Sequence, residues 1–387
     1  MTKPFQEGLF TSKLPNTSIS IFSKMTQLAN EFGAVNLSQG FPDFEVDAKL
    51  VDLVTESMHS GFNQYAPMPG LLSLRQVISK KFESIYNVSV NPETEITITA
   101  GGTQALFTAI GTLIEKGDEV IIFEPAYDSY TPSIEAFGGK VVPVRLLAPD
   151  FVIDWEYVRK QITSKTKLII INNPNNPTGQ LLNATDLKEL ESIVEEFGVF
   201  ILSDEVYEHL VYDNKKHLTV LDSEILRQKS YVVASFGKVL HTTGWKLGYI
   251  IGTEYLTSEL RKIHQFNVFS VNTPMQHAVA SYLEDTSYYE SLGSFFEEKR
   301  NYLATALAAS SFKVLPSQGT YFMLLDYSNI SDLNELDFAT KLIKENNIAM
   351  IPVSAFYTND LNQQILRICF AKKQETLDKA IESLLQI

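Results

Sequence analysis

Lys238 follows an apolar run, Tyr231-Val232-Val233-Ala234-Ser235, with the composition of a buried strand, and it lies among glycines at 237, 244 and 248. A lysine at the carboxyl edge of a buried sheet is partly desolvated, which favours the neutral amine and makes it a nucleophile toward an aldehyde. Gly237 lets the backbone turn, and Gly244 and Gly248 let a ligand or another segment come close. The alternative is a solvated lysine in a glycine-rich turn, and the lysine alone does not decide between them. Other polar residues stand at comparable places. Glu124-Pro125-Ala126-Tyr127 follows the apolar Phe123, the segment from Asn172 through Asn176-Pro177-Thr178 to Gly179 follows Ile171, and Ser203-Asp204-Glu205-Val206-Tyr207 follows Leu202. Arg367 sits between Leu366 and Ile368 in an apolar run, where a guanidinium needs an anionic partner.

Three further stretches allow chemistry without requiring it. Ala100-Gly101-Gly102-Thr103-Gln104 joins a strand-like run to a helix-like one, and such a turn leaves unpaired N–H groups that suit an anion. It lacks the lysine of a nucleotide-triphosphate loop and the spacing of a dinucleotide fingerprint, so it reads as a phosphate site without NTP hydrolysis or as a plain tight turn. The break at Gly40-Phe41-Pro42 frees backbone N–H groups or is an ordinary linker turn. Tyr65, in a loop punctuated by Pro67, Pro69 and Gly70, packs the loop or meets a ligand.

The elements that must position these residues are legible as apolar runs over 95–99, 119–123, 141–144, 167–171, 199–202, 231–234 and 247–251. Nearly continuous Val/Ile runs suit strands buried on both faces, and the intervening helical patterns predict an α/β domain with a mostly parallel sheet. In such sheets ligands collect beyond the carboxyl ends of the strands, which is where the polar residues fall. Helices are expected over 18–31, 47–60, 74–86, 105–114 and 184–197. Past residue 272 the pattern changes to a long helical region over 274–309, short strands over 312–315, 320–325, 348–351 and 365–370, and a closing helix over 374–385, a smaller α+β domain.

At 387 residues the chain has room for two domains, and its 44% hydrophobic and 20% charged content is that of a globular enzyme. A net charge of −14 argues against nucleic acid or an anionic membrane as partner. The single cysteine, Cys369, lies in an apolar run and reads as core, so no disulfide framework is possible and a reducing compartment is expected. The polar stretch 1–13 and the lack of any long apolar segment lead to a cytoplasmic expectation.

Taken together, Lys238, Asp204, Asn176, Tyr207, the Gly102 turn and Arg367 resemble, in order and in setting, the pyridoxal-phosphate-dependent aminotransferases of class I/II, in the group that includes the methionine, kynurenine and glutamine-phenylpyruvate enzymes. The resemblance runs from Asn36 through Arg367. It implies the aspartate aminotransferase fold type: a large domain over 46–274 with a seven-stranded, mostly parallel sheet between helices, and a small α+β domain built from both termini, 1–45 and 275–387. It implies that Lys238 is the Schiff-base lysine and proton shuttle, and that Asp204 pairs with the pyridine nitrogen of pyridoxal 5′-phosphate. Asn176 and Tyr207 would share the ring's phenolic oxygen, and Tyr127 would stack on the ring. Gly102, Thr103, Gln104, Ser235 and Lys246 would hold the phosphate, joined by Tyr65 from the neighbouring subunit of a homodimer. Arg367, with Gly40 and Asn176, would bind the substrate α-carboxylate. The partners implied are an amino acid and a 2-oxo acid, with no metal.

Two departures stand out. Family members usually carry arginine where this chain has Lys246, and His241 and Thr242 replace small and apolar residues. No arginine is obviously placed for a side-chain carboxylate, and the Phe/Tyr-rich segments, with Phe41 at the entrance, suggest a large neutral substrate such as methionine, phenylalanine, tyrosine or kynurenine. The rival within the fold is a cysteine-conjugate C–S β-lyase using the same lysine and aspartate. A non-catalytic regulator is disfavoured by the presence of every reactive group.

Overall fold

In a computed structural model, residues 12–15, 17 and 19–387 are described. The central sheet has seven strands in the order Ile96–Thr99, Gly248–Ile251, Ser230–Ser235, Phe200–Asp204, Thr166–Asn172, Glu119–Glu124 and Lys140–Arg145. Every pairing is parallel except the two made by Gly248–Ile251, which runs against both neighbours.

The reason for the unbroken apolar runs is visible in the two cores. Val120, Ile122, Leu168, Ile170, Leu202 and Val233 pack into one layer with the helix Gly101–Leu113. Ile121, Phe123, Ile169, Ile171, Ile201 and Val232 pack into the other. Alternate side chains of one strand point to opposite faces, so a sheet covered on both sides must be apolar at consecutive positions.

The helices are set by local chemistry. Ala184–Phe197 starts at a reciprocal cap between Asn183 and Asp186 and ends at Gly198 in the left-handed region (φ 68°). Ala48–His59 is capped by Asp47, and Leu72–Tyr86 ends at Asn87, also left-handed. Ile21–Phe32 replaces the helix expected over 18–31; residue 18 lies outside the described residues.

The helical region expected over 274–309 consists of two helices, Thr273–Tyr282 and Ser287–Leu307. Apolar periodicity continues across the gap, but Asp285 accepts from the N–H and hydroxyl of Ser287 (3.1 and 2.6 Å), a local bond that competes with helix continuation. Among the helices absent from the sequence reading, Glu254–Asn267 and Glu335–Asn346 are the longest.

A second, antiparallel sheet runs in the order Ile351–Pro352, Ile365–Cys369, Phe322–Asp326 and Lys313–Val314. The run 348–351 is thus divided, because Ile348–Ala349 pairs in parallel with Val35–Asn36 instead. The chain beyond Asn36 stays attached: Leu37 donates to Ala349 O (3.0 Å) and accepts from Cys369 N–H (2.9 Å). Ser38 to Phe41 are thereby held between the two sheets. No helix among the described residues is long and apolar enough to cross a membrane.

Candidate active site

A cavity of about 270 Å³ opens at the carboxyl edge of the seven-stranded sheet. Of the residues singled out from sequence, Gly40, Gly102, Thr103, Tyr127, Asn176, Asp204, Tyr207, Ser235, Lys238, Lys246 and Arg367 line it. Gln104 and Tyr65 do not. The Gln104 side chain serves its own turn, accepting from Ala100 N–H (2.9 Å) and donating to Thr108 Oγ1 (2.7 Å). Tyr65 is 82% exposed and packs edge-on against Phe269.

Lys238 lies on the single turn Phe236–Val239 directly after the strand Ser230–Ser235. At Gly237 a Cβ would come within 2.9 Å of Thr243 Cα, and at Gly248 within 2.7 Å of Ala234 O, so both glycines permit close backbone approach. Gly244 faces open space. Burial, with Arg367 nearby, lowers the Lys238 pKa to about 8. Its Nζ donates to the Tyr321 hydroxyl (3.0 Å) and to Gly40 O (3.4 Å).

Asp204 ends the strand Phe200–Asp204 and is 3% exposed. Burial raises its carboxyl to about 6, against hydrogen bonds from Tyr130 and the Val206 N–H that favour the charged form. The Tyr130 hydroxyl donates to Oδ2 (2.6 Å), and Asn172 Nδ2 donates to the Asp204 carbonyl (2.8 Å). Asn172 also accepts from Asn176 N–H (2.7 Å), so one side chain sets the position of both neighbours. Sequence reasoning gave no role to Tyr130 or Asn172. Asn172 stood in the right strand end, whereas nothing local marks Tyr130.

Arg367 is fully buried on the strand Ile365–Cys369, opposite Leu324 and Ile351. Nη1 donates to Asn176 Oδ1 (2.8 Å) and Nη2 to Ser38 O (3.0 Å), while the buried Nε has no partner. Phe322, Phe356 and Phe22 surround the guanidinium, with ring centroids 3.9, 5.1 and 5.2 Å from Cζ. Burial lowers its pKa to about 10, so it remains charged near neutrality.

The glycine turn opens the helix Gly101–Leu113. Gly101 has φ +80°, and a Cβ there would lie 3.5 Å from Lys246 Nζ. At Gly102 a Cβ would lie 3.2 Å from Val206 and 3.9 Å from the Ser235 Cβ. Bare helix-start amides, Thr103, Ser235 and an ammonium therefore share one pocket, the donor set a phosphate requires. A buried carboxylate close to a reactive amine, with its formal charge unmatched by an ion pair, suits a protonated ring nitrogen. The residues present fit pyridoxal 5′-phosphate.

His241 faces away from this donor set, in an aromatic cluster with Phe44 (centroids 4.7 Å apart), Tyr288, Phe295 and Phe296. The imidazole is thus accommodated by packing, and burial lowers its pKa to about 4.

The family described as aminotransferase class I and II matches residues 33–384. A methionine aminotransferase of Escherichia coli is 41% identical over 97% of this chain and 98% of its own length. A kynurenine–oxoglutarate transaminase of Dictyostelium discoideum is 32% identical over 100% and 98%. The crystal structure of an Escherichia coli protein identified with a methionine aminotransferase function superposes with a TM-score of 0.96, at 41% identity, over 98% of this chain and 100% of that one. The whole-length match, with the lysine, carboxylate and glycine turn on one sheet edge, places the chain among the class I and II aminotransferases, pyridoxal-phosphate-dependent transaminases of the aspartate aminotransferase fold.

Proposed function

We propose that this enzyme moves the amino group of an α-amino acid with a large neutral side chain, such as methionine, phenylalanine, tyrosine or kynurenine, to a 2-oxo acid by alternating half-reactions. The observation that carries the reading is Arg367, a buried guanidinium with an unpartnered Nε, walled by Phe22, Phe322 and Phe356 and facing the cavity that holds Lys238. A planar cation suits an α-carboxylate, and the rings beside it favour an apolar side chain over a second charge. The names of the methionine and kynurenine relatives point the same way.

When bound, pyridoxal phosphate supplies the electron sink for the α-carbon. The protein does the rest. Arg367, aided by Asn176 and the Gly40 backbone, fixes the carboxylate and so orients the Cα–H bond. Lys238 removes the α-proton, its lowered pKa leaving a usable free-base fraction near neutral pH. Asp204 would keep the cofactor's ring nitrogen protonated, Asn176 and Tyr207 would serve its phenolic oxygen, and Tyr127 would cover the ring. Gly102, Thr103, Ser235 and Lys246 would hold the phosphate, whereas Gln104 lies outside the cavity and shapes the turn that presents them. Tyr65, exposed on one protomer, completes the same site in a partner subunit, which makes the working unit a homodimer. Residues 46–274 serve as the cofactor-binding domain and, of the described residues, those before 46 together with 275–387 as the small domain, a division supported by the pairing of Val35–Asn36 with Ile348–Ala349. We place the enzyme in the cytoplasm.

The test is an absorbance titration of the purified holoenzyme with methionine, phenylalanine, glutamine and aspartate in turn. Methionine or phenylalanine should convert the cofactor band at the lowest concentration. A response to aspartate alone would refute the substrate class, and pyruvate with ammonia from a cysteine conjugate, in the absence of an acceptor, would indicate β-elimination.

A further inference from the structure

Among the described residues, Tyr321 is the only side chain that hydrogen-bonds the Lys238 amine. It directly precedes the strand Phe322–Asp326, so it belongs with the four-stranded sheet, and packing between the two sheets brings it to Lys238. The residue is 0% exposed, and burial pushes its phenol well above the ordinary range, so the hydroxyl keeps its proton.

That proton is committed. The Tyr321 hydroxyl donates to Gly40 O at 2.6 Å. At Gly40 a Cβ would stand 2.8 Å from the Phe322 ring, so the backbone bearing this carbonyl is packed directly on the neighbouring aromatic. A phenol has one O–H, and with it given to Gly40 the oxygen toward Lys238 can only accept; the Tyr207 hydroxyl is the other group in reach of that oxygen. The amine must therefore direct an N–H at Tyr321, and in its neutral form the lone pair points elsewhere.

We infer that Tyr321 is a positioning residue for the Lys238 amine: accepting from Nζ while donating to Gly40, it fixes where the free amine waits and leaves the lone pair directed into the cavity. This rests on the reading of Lys238 as the cofactor-reactive lysine. The other titratable or charged groups around Nζ are Asp204, Tyr207, Lys246, Arg367 and Cys369. None of them hydrogen-bonds it.

The consequence is measurable without turnover. In full-length protein stripped of cofactor, the rate of capture of added pyridoxal 5′-phosphate, followed by absorbance, rises with pH as Lys238 loses its proton. Tyr321→Phe keeps the ring but removes an acceptor that favours the ammonium form, so the midpoint should fall by about one pH unit. The plateau rate should fall several-fold because the amine is no longer held. If Tyr321 only supported the Gly40 segment, the amino-acid KM would rise while the capture midpoint stayed within about 0.3 unit of wild type, and that result overturns the inference. Should Tyr321→Phe fail to fold, 3-fluorotyrosine at position 321, a poorer acceptor of the same shape, should lower the midpoint by a smaller amount, and no change would again overturn it. Lys238→Ala separates the two readings. If it still captures the cofactor with an unchanged band, the Lys238 assignment fails; if it is inert while Tyr321→Phe behaves as wild type, only the role of Tyr321 falls.

Discussion

Lys246 adopts a left-handed conformation (φ 54°, ψ 51°) at the end of the short turn Thr243–Trp245, and its Nζ approaches Gly101. An ammonium reaches a phosphate as a point charge, whereas arginine offers a planar fork that can bind two oxygens at once. Lys246→Arg should therefore hold pyridoxal phosphate at least as tightly as wild type, with a dissociation constant up to about fivefold lower, equivalent to about 1 kcal/mol. Equilibrium dialysis of the two proteins decides it, and a looser Lys246→Arg complex would show that the lysine is fitted to this pocket. The backbone strain is independent of the exchange, since neither side chain is favoured at positive φ.

At the scale of elements, the turn that carries Tyr207 is tied to the helix Leu72–Tyr86 by a buried ion pair. Lys81 Nζ lies 2.5 Å from Glu208 Oε1, and the Tyr86 and Tyr249 hydroxyls donate to the same carboxylate (2.9 and 3.0 Å). Burial would raise Glu208, but Lys81 and its other neighbours overcome this and hold it at about 2. Lys81→Met leaves an uncompensated buried carboxylate and should cost about 3–5 kcal/mol in denaturant unfolding. Lys81→Met combined with Glu208→Leu should recover most of that loss, and if it does not, the pair contributes more than neutralisation.

This network also marks where sequence reasoning stops. Lys238, Asp204 and Asn176 were legible because each follows an apolar run, so its place at the sheet edge depends only on local order. Tyr130, Tyr321 and Lys81 were not legible, since each acts across more than 70 residues of chain or from another sheet, and no periodicity encodes that distance. The seven long strands were read for the same reason that two-residue strands such as Ile351–Pro352 were not: a short run carries too few residues to show a period.

For the molecule as a whole, two buried carboxylates give the cofactor-free protein opposite pH dependences. Asp204 has a folded pKa of about 6, above its unfolded value, so folding takes up a proton and stability rises as pH falls below 6. Glu208 has a folded pKa of about 2, below its unfolded value, so its contribution is present above the unfolded pKa and is lost as pH falls toward 2. For these two carboxylates alone the opposing trends balance between about pH 4 and 5, while His209, His241 and His264, held by burial at about 3, 4 and 4, withdraw stability as pH falls below the ordinary histidine range. Asp204→Asn isolates the first effect: without cofactor it should exceed wild type by up to about 3 kcal/mol at pH 8, taking about 1.4 kcal/mol per pKa unit, with the gap shrinking below pH 6. Denaturant midpoints at several pH values measure this, and a pH-independent gap would mean that Asp204 is not the titrating group. Bound cofactor should reverse the order, because Asp204 then has a cation to face.

The lone reversed strand, Gly248–Ile251, has a consequence beyond topology. Because Ser235 lies opposite Gly248, the segment 236–247 leaves and re-enters the sheet at neighbouring points. It is a short closed loop, and the conformational entropy given up to close it is small and grows only slowly with length. Both lysines ride on this loop, so rocking of one sheet against the other would change what Lys238 meets from the far side, at Tyr321 and Gly40, while leaving the spacing between Lys238 and Lys246 unchanged.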